Sequence, residues 1–415
     1  MAEPPAGAPH GGVGRPLPHL GLLALVAVAL VSVNLRPGAT SVGPVLAELE
    51  SGVGLTPTVA GVLTALPGLC FGVVGALAVP LSRRLGLTGS ICLGLGLVVL
   101  GLVLRSLTGS SGLFVALSAL ALGGMAVGNV LVPAWIKRQA TGGVGLMTIY
   151  STGLTVGGAA GSALAAPVAA AAAGWRPALG MWGLVAVGAL LAWLVVAHRE
   201  RGSVALADAG GATGRLLRSP TAVALTVLFG VQSMNAYVQF GWLPQIYRDA
   251  GLSASVAGLL TASVAGLGIV GGLVMPTVID RSRSLAGWML AFGGLAVLGY
   301  LGLLLAPTTV PWLWAVLLGL SGWAFPTVVA LLAARTRHPQ VTARLSGFVQ
   351  PLGYLLAAAG PFVVGLIHSF SGSWQLVLVL LAASGIPLAL AGLRVARPVY
   401  VDDELGPSTR PGAGA

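Results

Sequence analysis

Arg36 is the residue whose chemistry needs explaining first. It stands between Leu35 and Pro37, inside an apolar run that extends over about residues 18–47 and is long enough to cross a bilayer. A lone arginine at bilayer depth costs from ~3 to over 10 kcal/mol, so such a residue faces water or an opposite charge. No Asp or Glu lies at comparable depth in any apolar run. Glu48 is twelve residues further on, about 18 Å along a helix. One reading makes a bound solute the missing counter-ion, because a guanidinium grips a planar anion through two parallel hydrogen bonds. The other ends the span at Leu35 and lets the side chain snorkel to the outer surface. From the residues alone both stay open.

Polar residues at helical spacing accompany it. Asn34 is two residues before Arg36, and Thr40 follows it by one turn. In a later run Gln232, Asn235 and Gln239 fall at i, i+3 and i+7, a polar stripe along an otherwise apolar helix. With one gap, the two halves of the chain align so that Asn34 lies opposite Gln232. These amides either line a cavity or join helices to one another. Asn129, and Gln350 with Tyr354 one turn on, are further candidates for solute contact. Tyr150, Tyr237, Trp242 and Phe325 could stack on a flat solute or serve as packing. Gly153, Gly157 and Gly161 form a close-packing face.

Other patterns carry no chemistry. Gly266, Gly268 and Gly271 spell GxGxxG, but inside an apolar run, with no preceding strand and no acidic partner for a ribose. The histidines 10, 19, 198, 338 and 368 have no metal-ligand spacing. Cys70 and Cys92 lie inside apolar runs as small packing residues. No nucleophile with a base, metal cluster or cofactor motif emerges, so nothing points to an enzyme.

The elements that must position these residues follow from composition. Of 415 residues 56% are hydrophobic and 7% charged, and the mean hydropathy is +0.96. A soluble domain carries about 25% charged residues. With so few, lipid is the solvent, and continuous apolar runs rather than alternating ones require helices. The ruler of roughly 20 residues per span predicts twelve, at about 18–47, 57–81, 88–107, 112–136, 143–172, 175–197, 220–247, 253–279, 285–306, 311–334, 342–369 and 374–393. The Pro/Gly-rich segment 1–17 reads as a disordered N-terminus, not a cleaved signal, and 394–415 as a polar tail.

The formal charge of +11 is distributed as in a membrane protein, not as on a nucleic-acid-binding face. Seventeen basic residues fall in one set of alternate gaps. Only Arg105, Arg176 and Arg248 fall in the other, and Arg36 in neither. The bias predicts an inner (plasma) membrane protein with both termini cytoplasmic. The polar stretch 198–219 divides the chain into halves, 18–197 and 220–393, that resemble each other. GLTPTVAGVLTA (54–65) recurs as GLSASVAGLLTA (251–262), and Leu146, Gly161 and Trp175 fall opposite Leu345, Gly360 and Trp374. A six-helix unit repeated in the same orientation predicts an all-α, two-lobed carrier with its solute site between the lobes near midplane.

NLRPGATSVGP (34–44), TALPGLCFG (64–72), GNVLVPAWIKR (128–138), FGVQSMNAYVQFGWLP (229–244) and ARLSGFVQPLGYLLAAAGP (343–361) resemble the cyanate/2-nitroimidazole transporter family of the major facilitator superfamily. The resemblance runs from the first span to the last. It implies a proton-linked or facilitative carrier of small polar or anionic solutes, with Arg36 inside the first helix. Two departures stand out. PLSRRLG (80–86) lacks the acidic residue that precedes the basic pair in the superfamily's loop signature, whereas Asp280 precedes Arg281 in the second half. LSGWAFP (320–326) is bulkier than the family's small-residue run, which predicts a narrowed cavity.

The expectation is therefore a monomeric secondary carrier of a small anion such as cyanate, needing no cofactor and binding no nucleic acid. Efflux of a nitroaromatic or other drug is the second reading, and a membrane-embedded receptor or enzyme the third. Proton relays use intramembrane Asp, Glu or His. Their absence at midplane predicts weak or no proton coupling, or a proton carried by the solute.

Overall fold

Hydroxyl caps set where several spans begin. Thr56 and Ser253, the third residues of the two copies of the repeated dodecapeptide, cap the helices that follow, and each side chain accepts from the backbone N–H three residues on, at 3.3 Å. Ser219 does the same for Ala222 at 3.0 Å, just before Pro220. Such caps satisfy amides that the first turn leaves without partners. In a span, those are also the amides that must not enter lipid unpaired.

The computed structural model describes residues 21–139, 143–172, 174–200 and 213–405. Expectations for the segment 1–17, for much of the 198–219 linker and for the end of the tail lie outside them. Among the described residues the structure is entirely helical. Among the same residues, twelve helical spans are long and apolar enough to cross a membrane: Gly21–Thr40, Pro57–Leu85, Leu87–Leu107, Ser111–Lys137, Gly145–Ala171, Trp175–Arg199, Pro220–Asp249, Ala254–Arg281, Ala286–Leu305, Pro311–Ala334, Val341–Ser371 and Gln375–Ala396. They are the first to twelfth spans below. Spans one to six pack together, as do seven to twelve. The lobes meet where the second span lies on the eleventh and the fifth on the eighth. Leucines and a phenylalanine such as Leu22, Leu273, Leu305 and Phe370 stand exposed on the outside of the bundle, a surface suited to lipid.

The first run departs from expectation. It is not one rod over 18–47: the helix Gly21–Asn34 breaks, a short helix Pro37–Thr40 restarts it, and a separate helix Leu46–Val53 follows. Pro37 is the cause, since it has no N–H to donate and disfavours helical geometry at the residue before it. The tenth span is also interrupted, between Pro311–Ser321 and Ala324–Ala334.

The lobes touch most closely toward the end of the bundle remote from the chain termini. A Cβ added to Gly61 would lie 3.1 Å from Gly365, one on Gly68 2.9 Å from Ala358, and one on Gly258 2.6 Å from the Ser162 carbonyl. Glu48 and Arg248 join the lobes there by a two-pronged ion pair, at 2.8 and 2.9 Å. Arg248 also donates to the Pro44 carbonyl at 3.1 Å. Nearby, the Glu50 carboxyl is raised above its ordinary value by burial and by Asp249, against the opposing pull of Arg248. By contrast, Gly145 and Gly347, near the terminus-side ends of the fifth and eleventh spans, have open space where a Cβ would be.

Candidate functional site

The break in the first span frees Arg36 from regular helix. Arg36 caps the restarted helix, and its carbonyl accepts from the amides of Ala39 and Thr40 at 3.0 and 3.1 Å. The side chain is half-buried and reaches the interface between lobes. Its guanidinium carbon stands 6.0 Å from the centre of the Phe71 ring, a cation–π approach at the outer limit of range. Tyr150 of the fifth span, Tyr237 of the seventh and Tyr354 of the eleventh all lie in its electrostatic field. Among the described residues it has no ion pair and no side-chain hydrogen bond to the protein. It is a half-buried charge inside the molecule, without a counter-ion among the described residues.

Aromatic rings from both lobes frame it. Tyr354 lies 5.5 Å from Phe71, 5.0 Å from Phe229 in edge-to-face contact and 6.3 Å from Tyr237. Phe229 continues the wall to Phe325 at 5.5 Å. Asn129 fixes Tyr150, whose hydroxyl donates to its carbonyl and to its Oδ1 at 3.2 and 3.1 Å. Gln350 is half-buried one turn before Tyr354. The arrangement offers one positive, two-pronged donor among flat apolar faces. It suits a small, flat solute with a charged or strongly polar edge.

The remaining sequence candidates are placed elsewhere. Asn34 is buried and donates to the Trp182 carbonyl at 2.8 Å, joining the first span to the sixth. Its counterpart by role is Asn235, not Gln232: Asn235 donates to Ser384 at 3.1 Å, joining the seventh span to the twelfth, and accepts from Tyr300 at 2.8 Å. Gln239 donates to the same Tyr300 hydroxyl at 3.0 Å. The predicted stripe therefore turns two of its three amides into the second lobe. Gln232 is buried with its Oε1 lacking a partner among the described residues. The Thr40 hydroxyl folds back onto the Arg36 carbonyl at 3.4 Å. Trp242 belongs to the remote end, donating to the Pro361 carbonyl at 3.1 Å beside His368 and Trp374.

Two features escaped the sequence reading, and a third takes a place other than the one expected. Phe71 and Phe229 look like any apolar residue in an apolar run. Arg105, assigned to an outer gap, is fully buried in the last turn of the third span. Trp323 of LSGWAFP donates to the Leu267 carbonyl at 2.9 Å and lies over Gly271. Its bulk is thus held against the eighth span, and one glycine of the GxGxxG string is its seat. Gly153, Gly157 and Gly161 do form a packing face, set against Ser32, Val33 and Pro37 of the first span.

The profile of the Major Facilitator Superfamily matches residues 23–361. The 2-nitroimidazole transporter of Escherichia coli (strain K12) is 31% identical over 378 residues, 91% of this chain and 96% of that protein. The cyanate transport protein CynX of the same organism is 32% identical over 380 residues, 90% of this chain and 97% of that one. Among solved structures, the nucleoside transporter NupG superposes with a TM-score of 0.72 at 12% identity, covering 90% of this chain and 98% of that chain. At that identity the likeness is one of fold.

Proposed function

The chain belongs to the Major Facilitator Superfamily, a multi-pass membrane transporter, and we propose that it carries a small planar anion of cyanate type by alternating access, with Arg36 as the solute's counter-ion. One observation carries this reading: a half-buried guanidinium at the lobe interface, 6.0 Å from the Phe71 ring and with Tyr150, Tyr237 and Tyr354 in its electrostatic field, that has no ion pair among the described residues. Two relatives of about 31% identity are named for cyanate and 2-nitroimidazole, solutes that are small, flat and polar-edged. The lobes, closed at the remote end, rock to expose Arg36 to either side in turn. The charge bias among the gaps supports an inner-membrane location with cytoplasmic termini. No Asp, Glu or His of the sequence lies at midplane, which favours transport without a protein-borne proton relay.

The aromatic wall gives specific support to a second reading, a neutral nitroheterocycle. Its ring would stack on Tyr354 or Phe71 while its nitro oxygens accept from Arg36. Arg36→Ala and Arg36→Lys separate the two. For an anion, the alanine variant should fold, melt no lower than wild type because an unpaired charge is gone, and lose binding. The lysine variant keeps the charge but not the fork. It should bind one to two orders of magnitude more weakly, the equivalent of losing a charge-assisted hydrogen bond of ~1.5–3 kcal/mol. A neutral solute should distinguish little between the variants. Wild-type cyanate and nitroimidazole affinities in Arg36→Ala would remove Arg36 from the site altogether.

A further inference from the structure

A second arginine lies wholly inside the bundle, and solute recognition at Arg36 makes no use of it. Arg105 is 0% exposed. Its Nη1 donates to the Gly38 carbonyl at 2.9 Å and reaches the Ser118 hydroxyl at 3.4 Å. Nε and Nη2 have no partner among the described residues, and no carboxylate there pairs with the group. The Phe114 ring at 5.8 Å and the carbonyl end of its own helix offset part of the charge. A buried cation with two of three nitrogens unsatisfied still calls for an anion.

There is room for one. Arg105 lines a cavity of about 20 Å³, above the ~10–15 Å³ that one water molecule needs on the same measure. Its walls come from both lobes: Gly38, Thr64 and Ser118 beside Arg105, facing Tyr237 and Gly241 of the seventh span. The Tyr237 hydroxyl is buried and likewise lacks a partner. Arg105 and Tyr237, each with an unpartnered polar atom, thus both line a space too small for an aromatic ring.

We infer that this cavity is a second binding site, for one small monovalent anion of about halide size. The site is centred on Arg105, shares Tyr237 with the surroundings of Arg36, and does not depend on the reading of Arg36. Because its walls belong to both lobes, the bound anion holds them together on the side toward the remote end, and parting the lobes opens it.

The test uses full-length protein carrying Arg36→Ala, so that the first arginine contributes nothing. Its melting temperature is followed as bromide replaces gluconate, an anion too large for the cavity, at constant ionic strength. The expected result is a saturable rise that disappears when Arg105→Met is added. In wild-type crystals grown with bromide, an anomalous peak should lie within hydrogen-bond reach of the Arg105 guanidinium. No saturable rise, or the same rise in the doubly substituted protein, overturns the site and leaves Arg105 as a clamp between the first and third spans. Should the double variant fail to fold, the anomalous map decides alone: a peak upholds the site and its absence rejects it. Loss of cyanate transport in Arg36→Ala has no bearing on either result.

Discussion

Three charged side chains in this protein meet different fates, and the difference is one of partners. Arg36 is half-buried with no side-chain partner among the described residues, Arg105 is buried with a single backbone carbonyl and a hydroxyl beside it, and Glu404 is caught in a full set of donors. The Glu404 carboxylate accepts from the Ser219 hydroxyl, from the Thr221 amide and hydroxyl at 3.0 and 2.9 Å, and from Arg394 at 2.6 Å. Burial alone would raise its pKa, but these donors outweigh burial and hold it below the ordinary value. A carboxyl lowered in the folded state contributes stability above its unfolded pKa, near ~4.3, and loses it as pH falls through the lower, folded value. Glu404→Gln should therefore melt lower than wild type at pH 7, by the equivalent of about 1–3 kcal/mol. The gap in melting temperature should narrow steadily toward pH 4 and below. A gap independent of pH would show that shape, not charge, is what the position supplies. Arg36 was legible in the sequence because it is the one charge in the middle of an apolar run. Arg105 was not: two residues before the end of a span, a buried arginine and a snorkelling one are written identically. Only the packing of the first span over it, through the Gly38 carbonyl, distinguishes them.

At the scale of elements, small residues decide how closely the second span can approach the eleventh. The sequence shows the spans themselves plainly, since a run of about 20 apolar residues has few other uses, and the repeated dodecapeptide shows the two lobes. It does not show the break at Arg36, because Pro37 is compatible with a kink, a restart or a helix end. Nor does it show which face of a glycine-bearing helix meets which neighbour. Gly266 and Gly268, within two turns of Gly271 on the same span, have nothing within 4 Å of where a Cβ would lie, while Gly271 seats a tryptophan. Gly68 is a position where the neighbour cannot yield, because a Cβ there would lie 2.9 Å from the backbone N and Cα of Ala358 as well as its side chain. Gly68→Val should therefore forbid closure at the remote end while leaving each lobe folded. Spin labels on cysteines at Ser51 and Gln375, exposed positions of opposite lobes, should report a longer separation than in the unsubstituted background. Transport should cease. An unchanged distance with normal transport would mean that these spans do not meet during the cycle.

For the whole molecule, the closed arrangement at the remote end rests on two kinds of contact that act differently. Backbone-to-backbone approaches such as Gly61 on Gly365 are permissive: they allow closure and add packing between the lobes. The Glu48–Arg248 pair is directional, since it forms only when the end of the seventh span comes up to the helix after the first. Its side chains are 37% and 21% exposed, so solvent screens it. A partly exposed ion pair contributes about 0–1 kcal/mol, toward the upper end when the geometry is two-pronged as here. One kilocalorie per mole changes a two-state ratio about fivefold. Glu48→Gln should accordingly shift part of the label-distance distribution between Ser51 and Gln375 toward the longer separation, where Gly68→Val shifts nearly all of it. The effect should shrink in high salt. Exchanging the charges, Glu48→Arg with Arg248→Glu, should restore much of the closed population, although the donor to the Pro44 carbonyl would be lost with Arg248. If Glu48→Gln leaves the distribution untouched at low salt, closure is held by packing alone, and the ion pair only accompanies it.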